Sequence, residues 1–519
     1  MQTKFWVTPL ALSLLVGGCG DLLTETPKSF LTTGSFYQTA GDLDNATQAI
    51  YQSLRTYSSG GGGAWWAPEL AADIGKGDPG EPNLATNGSA FLLYDASAGN
   101  STQTAWNPLW QMIERANLVL DNAPNVDMSA TQKAGLVAEA KFLRGYAYLQ
   151  LMKRYSAGNK PTDAGVPLML TFADAQKKEI TRASSAEVFA QIIKDLSEAE
   201  PALTVRTDGR APKGAAQMAL ADTYLWRSSY MLTGEWQQAS DWAKKVIDSG
   251  SFALNNGFFS TFLASNKAPA NREMIFRVVG LAQTGATTQF SNTYYPRVLG
   301  FGAGTDRGGF GAVNPTAWFV SSYKKGDIRG TVGPERGTTA ADYAADTVAF
   351  RTAGCVPAGC RTFPPHVWKF RVVDRTLNDV DVPLYRYAET FLFYAEAQNE
   401  LGNTAEAIRN VNIVRARARK GLGTDTRVEP ADLPSAMTKL QARDAIFMER
   451  VWELAFEGGQ RWFDMIRRDS EEPGYWKSSL EAHDPDSFAR GPITDFKKRF
   501  PLPQSEINVM PTLTQNPGY

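Results

Sequence analysis

The chain has 519 residues, 43% hydrophobic and 21% charged, an ordinary globular composition that allows about three domain equivalents of roughly 150 residues or one continuous repeat body. Its 53 Lys and Arg against 54 Asp and Glu leave no basic excess to neutralise phosphates, which argues against a nucleic-acid partner. With only two histidines, His366 and His483, an HExxH zinc motif is excluded.

Residues 1–18 place Lys4 before an apolar run from Phe5 to Val16 and then Gly17 and Gly18, the pattern of a signal peptide. Its apolar run is too short for a membrane-spanning helix, which needs about 20 residues. The following Cys19 completes a sequence that resembles a bacterial lipobox, so acylation of its sulfur is expected, with residues 19–40 as a lipidated tether. Ordinary secretory cleavage with Cys19 free, or an N-terminal helix with no export role, are the competing readings.

From Gly41 onward apolar residues recur at helical spacing in Leu43 to Leu54, Trp110 to Leu120, Leu136 to Met152, Val188 to Leu196, Ala215 to Met231, Trp236 to Ile247, Leu384 to Leu401, Ala405 to Ala416 and Ala445 to Ile466. Gly234, Gly250 and Gly402 are expected to stop or join helices. The pairs around Gly234 and Gly402 carry small residues at helix contacts, as tetratricopeptide repeats do, and three or four such pairs are expected. The chain therefore divides into a helical region (41–254), a loop-rich region (255–382) and a second helical region (383–519). A further loop-rich stretch runs from Ser58 to Asn100. Cys355 and Cys360 lie in a Gly- and Pro-rich segment where a local disulfide, two free thiols, or a metal site with His366 that lacks a fourth ligand are the alternatives.

Several ordered motifs carry a resemblance. Ala138 to Leu149 (AEAKFLRGYAYL) followed by Gly165 to Leu168 (GVPL), Trp106 to Trp110 (WNPLW) with Arg115, Glu449 to Gly458 (ERVWELAFEG) with Arg461 to Asp464 (RWFD), and Phe500 to Ile507 with the ending Leu513 to Tyr519 resemble the SusD/RagB outer-membrane lipoproteins. The resemblance covers essentially the whole chain and is weakest from Asn255 to Val382. Gly459 and Gln460 ahead of Arg461 are a small departure. It implies a mainly α fold of tetratricopeptide-like helical pairs with a loop-rich ligand-binding region. It also implies a non-enzymatic surface lipoprotein that captures a glycan and passes it to a SusC-like TonB-dependent transporter, some members taking peptides instead.

A neutral sugar needs flat aromatic platforms rimmed by amide, carboxylate or guanidinium groups. Of the thirteen tryptophans, Trp65, Trp66, Trp318, Trp368 and Trp476 fall in expected loops, where an aromatic has no helical core to join. In the resembling family, aromatics from an early loop and the middle region form the sugar site. That implies Trp65, Trp66, Tyr94, Asn100, Tyr294, Tyr295 and Trp318 as ligand contacts, with Asp73, Asn292, Arg297 and Asn314 as hydrogen-bonding rim. Each could instead pack a loop onto helices.

No signature of catalysis accompanies these residues. Glu449, Glu453 and Glu457 fall on one helix face rather than across a cleft, and Arg461, four residues on, suggests an exposed ion pair. There is no G-x-S-x-G elbow and no phosphate-binding glycine motif, and a triad through either histidine is not favoured by any spacing. No cofactor and no metal is expected. The rival readings are capture of oligopeptides on the same fold, an exported polysaccharide hydrolase, and an adaptor that binds only the transporter.

Overall fold

The computed structural model describes residues 36–58, 64–77, 100–177, 179–263, 265–267, 269–280, 293–294, 312–334, 350–352, 366–370, 379–421, 427–484 and 493–519. The expected signal peptide, Cys19, and Cys355 with Cys360 lie outside them. Among the described residues there are fourteen α-helices and nine short strands, and no helix is long and apolar enough to cross a membrane.

The helices pack largely in pairs. Helix α1 (Ala40–Ser58) lies against α3 (Asn100–Asn122), α4 (Ala130–Tyr155) against α5 (Ser185–Ala199), α6 (Lys213–Tyr230) against α7 (Trp236–Asp248), and α9 (Tyr387–Glu400) against α10 (Thr404–Ala418). The expected turn glycines do what was asked of them: Gly234 and Gly402 take φ of +70° and +91°, a region glycine enters without cost. Helix α5 begins on a capping box in which Ser184 accepts from the Glu187 amide and Glu187 accepts from the Ser184 amide. Gly145 of α4 permits the close approach of α5, since a Cβ there would stand 3.0 Å from Leu196 Cγ. One residue farther back, Arg144 clamps both Asp195 oxygens at 2.8 Å and the Asn117 carbonyl oxygen at 2.8 Å, which joins α3, α4 and α5.

Two expected helices are built differently. Leu384 to Leu401 is not continuous: strand β9 (Val382–Arg386) pairs antiparallel with β4 (Met274–Val278), and α9 starts only at Tyr387. The stretch Ala445 to Ile466 is two helices, α11 (Lys439–Leu454) and α12 (Gln460–Glu471). The turn between them places Phe456, Gly458 and Gly459 at φ of +65°, +83° and +80°, a geometry that no helix accommodates.

Below this turn lies a buried network of charge. Glu273 precedes β4, Arg386 ends β9, Arg415 and Arg417 project from α10, Glu449 and Glu453 from α11, Arg329 lies in a 3-10 turn (Ile328–Gly330) capped by Asp327, and Lys369 and Glu457 come from loops; all ten are buried, five of each sign. Arg386 donates to Glu457 at 2.6 Å, Glu273 at 2.7 Å and Glu453 at 3.1 Å. Arg417 binds Glu273 at 2.6 Å and also Glu453, while Glu449 holds Arg329 and Arg415, each at 2.6 Å. Glu449, Glu453 and Glu457 are thus interior, where Arg329, Arg386, Arg415 and Arg417 reach them from other elements. Arg461 pairs with Asp73 rather than with Glu457, and the expected exposed pair is not formed.

Burial opposes ionisation of Glu453, but Arg417, Arg386 and Arg329 outweigh it and hold its carboxyl at about 2. This lies below the unfolded value, so its contribution to stability is present above about pH 4.5 and is lost as pH falls toward 2. Glu453→Gln should therefore cost about 3–5 kcal/mol at neutral pH, read from urea midpoints, and should show a shallower loss of stability in acid than the parent.

Candidate functional site

The turn from Ala455 to Gly459 is the seat of the site. Gly458 and Gly459 lack side chains where the segment 64–70 presses in: a Cβ at Gly458 would be 2.5 Å from Trp65 Cζ2, and one at Gly459 would be 2.3 Å from Pro68 Cβ. The Gly459 amide donates to Glu69 Oε1 at 2.7 Å. Trp65, Pro68 and Glu69 are all buried. Glu69 lies in the short helix α2 (Ala67–Leu70), and burial raises its carboxyl to about 8, so it is largely protonated at neutral pH.

From α2 the chain runs into β1 (Gly75–Lys76), which pairs antiparallel with β5 (Asn314–Pro315) and is extended by Thr316, whose amide donates to the Ile74 carbonyl at 2.9 Å. The Thr316 hydroxyl donates to the Asp73 carbonyl at 2.7 Å and accepts from the Phe319 amide, capping α8 (Ala317–Ser322). This cap sets the direction in which Trp318 leaves the sheet edge.

Asp73 itself is buried and bound from two sides. Arg461 Nε and Nη2 meet its two oxygens at 2.8 and 2.6 Å, and His483 Nδ1 lies 2.8 Å from Oδ2. Burial works against its charge, but Arg461 and His483 hold the Asp73 carboxyl below its usual range. His483 ends helix α13 (Tyr475–His483), and its ring stacks on the Trp318 indole with centroids 3.6 Å apart and planes 8° apart. The Arg461 guanidinium lies 6.0 Å from the Trp318 and Tyr475 ring centres and donates to the Tyr475 hydroxyl at 3.4 Å. Trp318, His483, Tyr475 and Lys76 are each partly exposed.

The arrangement presents an indole whose orientation is fixed by an imidazole, itself fixed by a buried carboxylate. One face of the indole is covered by that imidazole, the residue stays partly exposed, and Arg461 lies beside it. The Asp73–His483 pair is two-thirds of a hydrolytic triad in composition, yet among the described residues no hydroxyl or thiol is hydrogen-bonded to His483. Among the described residues no group of three or more metal-ligating side chains is gathered.

The residues expected to bind ligand divide unequally. Trp318 stands at the site, on a short helix rather than a loop. Asp73 lies beneath it and is occupied by Arg461 and His483, which corrects its expected place on the rim. Trp65 and Trp66 are buried, 4% and 7% exposed, and so do not form an open platform; Trp65 is held by the turn glycines. Tyr294 is also interior, its hydroxyl donating to the Phe456 carbonyl at 3.0 Å, and Asn314 is buried in β5. Trp368 and Trp476 are core residues as well, Trp476 within α13. Asn100 opens α3. Its side chain, together with Tyr94, Asn292, Tyr295 and Arg297, lies outside the described residues. His483, Tyr475 and Arg461 were not anticipated as site residues; the one available signal was that His483 is one of only two histidines.

Comparison with known proteins gives two family matches. The SusD family model matches residues 366–519, and a model described as "Starch-binding associating with outer membrane" matches residues 86–225. "SusD-like protein P2" of Formosa agariphila is 27% identical, with 99% of this chain and 100% of that protein covered. A SusD superfamily crystal structure from Parabacteroides distasonis superposes with a TM-score of 0.73 at 23% identity, covering 94% of this chain and 100% of that one. The structure of a "Laminarin binding SusD-like protein" superposes with a TM-score of 0.69 at 22% identity, covering 93% and 100%.

The protonated Glu69 makes a prediction with a definite sign. Its folded value of about 8 lies above the unfolded value near 4.5, so it favours the folded state most at low pH, and that contribution falls by about 1.4 kcal/mol per unit as pH rises between them. Glu69→Gln should remove this slope, so that the Tm of the variant gains on the parent from pH 5 to pH 8. Parallel pH profiles would contradict a protonated Glu69.

Proposed function

Starting from the chain's membership of the SusD/RagB family, whose members are non-catalytic binding proteins, we propose that it captures glycans at the cell surface and hands them to a partner TonB-dependent transporter. The observation that carries this reading is the Trp318 indole, partly exposed and locked in place by His483 and Asp73. Sugars bind such surfaces through their weakly apolar ring faces, and a ring already fixed loses little conformational entropy on binding. The family description of outer-membrane association and the name of the laminarin-binding structure support the same reading. Acylation at Cys19 would hold the protein to that membrane, facing outward. Tyr94, Asn100, Asn292, Tyr295 and Arg297 belong to this proposal as further contacts, and Trp318 and Tyr475 are its described core.

The test is affinity electrophoresis and calorimetry on the chain lacking residues 1–19, with laminarin, starch and a panel of other polysaccharides and oligopeptides. At least one glycan should bind and be recovered intact after long incubation. Trp318→Ala should weaken it about tenfold or more, equivalent to about 1.4 kcal/mol, with the circular dichroism spectrum unchanged. Binding of oligopeptides and of no glycan would establish the rival ligand class. Glycan binding that is indifferent to Trp318→Ala would keep the function and discard this site.

A further inference from the structure

Away from Trp318, helix α3, the chain that follows strand β2 (Ala164–Pro167) and the C-terminal helix α14 (Gln504–Val509) enclose a groove of about 430 Å³, a volume in the range of small-molecule sites. Trp106, Trp110 and Glu114 recur every four residues along α3 and so share one of its faces. Glu506 of α14 and Met510 just beyond it line the groove from the C-terminal segment, and Met169, Ile180 and Leu513 add to its apolar lining.

These walls are braced from behind. The Tyr148 hydroxyl donates to the Met169 carbonyl and accepts from the Met169 amide, both at 2.8 Å, and the Thr512 hydroxyl donates to the Ile180 carbonyl at 2.6 Å. Tyr155 and Tyr148 meet the Trp106 and Trp110 rings edge-on, with centres 5.0 and 6.0 Å apart. Arg182 spends its five N–H groups on the oxygens of Gly165, Thr514, Asn516, Tyr155 and Ala164, which ties the C-terminal segment to β2. A groove already formed loses little on binding.

The charges that line it are of one sign. Glu114 is exposed and Glu506 partly so, no lysine or arginine lines the groove, and among the described residues neither carboxylate has a hydrogen-bonding or ionic partner. Nearby cations are engaged elsewhere: Arg115 donates to the Ala49 carbonyl at 2.7 Å and the Ser53 hydroxyl at 2.9 Å on α1, and Lys177 pairs with Asp174 at 2.7 Å. A neutral apolar occupant would take water from two carboxylates and return nothing to them. An organic cation meets both carboxylates, and indole faces attract it as well. A bare metal ion fits poorly, since among the described residues no group of three or more metal-ligating side chains is gathered and much of the lining is apolar.

We propose that this groove is a second binding site, for a small organic ammonium ion whose charge lies between Glu114 and Glu506 while its body lies against Trp110 and Met510. An amino sugar and a simple alkylammonium share that chemistry. The assignment stands on charge and shape here and is independent of the glycan reading of the Trp318 surface.

Its test is titration of the purified full chain, followed by calorimetry and ligand-observed NMR, with two matched pairs: glucosamine against N-acetylglucosamine, and choline against its neutral isostere 3,3-dimethylbutan-1-ol. Ammonium chloride is the bare-ion control, and about pH 6 keeps the glucosamine amine protonated. The double variant Glu114→Gln, Glu506→Gln removes both charges, and Gln111→Lys, at an exposed position of the same lining, adds a repelling one without touching the core. At least one charged compound should bind about tenfold or more tighter than its neutral counterpart, weaken by about tenfold or more in both variants and remain unchanged in Trp318→Ala; whether glucosamine or choline does so identifies the source of the ammonium. The site is overturned if neither charged compound binds, if the neutral counterparts bind equally, if ammonium chloride binds as tightly, or if binding survives both variants.

Discussion

Arg386 cannot be buried without carboxylates around it, and meeting that requirement organises the middle of the molecule. An unpaired buried charge costs several kcal/mol, so Glu273, Glu453 and Glu457 must converge on it, and each brings its own element. Strands β4 and β9 are thereby fixed against α10 and α11, and Glu457 fixes the turn that follows α11. The network sets five acids against five bases in the interior, so its formal charges balance. Apolar packing alone could join these helices. It would not specify where the turn sits, since it lacks direction.

The position of that turn governs the site through a sequence of contacts. Gly458 and Gly459 leave room for Trp65 and Pro68, the Gly459 amide holds Glu69, and Arg461, two residues later, holds Asp73. Asp73 orients His483, and His483 orients Trp318. A structural network below and a presented aromatic above are therefore parts of one construction. Such a rigid surface suits capture. Binding energy is then not spent on ordering the protein.

Much of the helical scaffold was legible in the sequence, because amphipathic periodicity and turn glycines are local signals. Leu384 to Leu401 misled because β9, buried on both faces, reads as an apolar run with no alternation, which a helical period also fits. Ala445 to Ile466 hid its break for a different reason: Gly458 and Gly459 mark the turn openly, yet the apolar spacing continues through them. The site was less legible still. Trp65 and Trp66 follow four glycines and look like loop aromatics, but both are buried, Trp65 against a turn nearly four hundred positions later, a relation no local pattern contains. Trp318 was singled out because its type and neighbourhood suggested a platform, and the structure leaves it partly exposed. His483 was missed because stacking on an indole leaves no trace in spacing.

Amide hydrogen exchange of the chain with and without a saturating bound glycan tests the central claim most directly, since it reads where the ligand acts without altering any residue. The account predicts added protection concentrated in the peptides covering residues 73–77, 314–322 and 475–484. Protection confined to other segments, with these three unchanged, would contradict it.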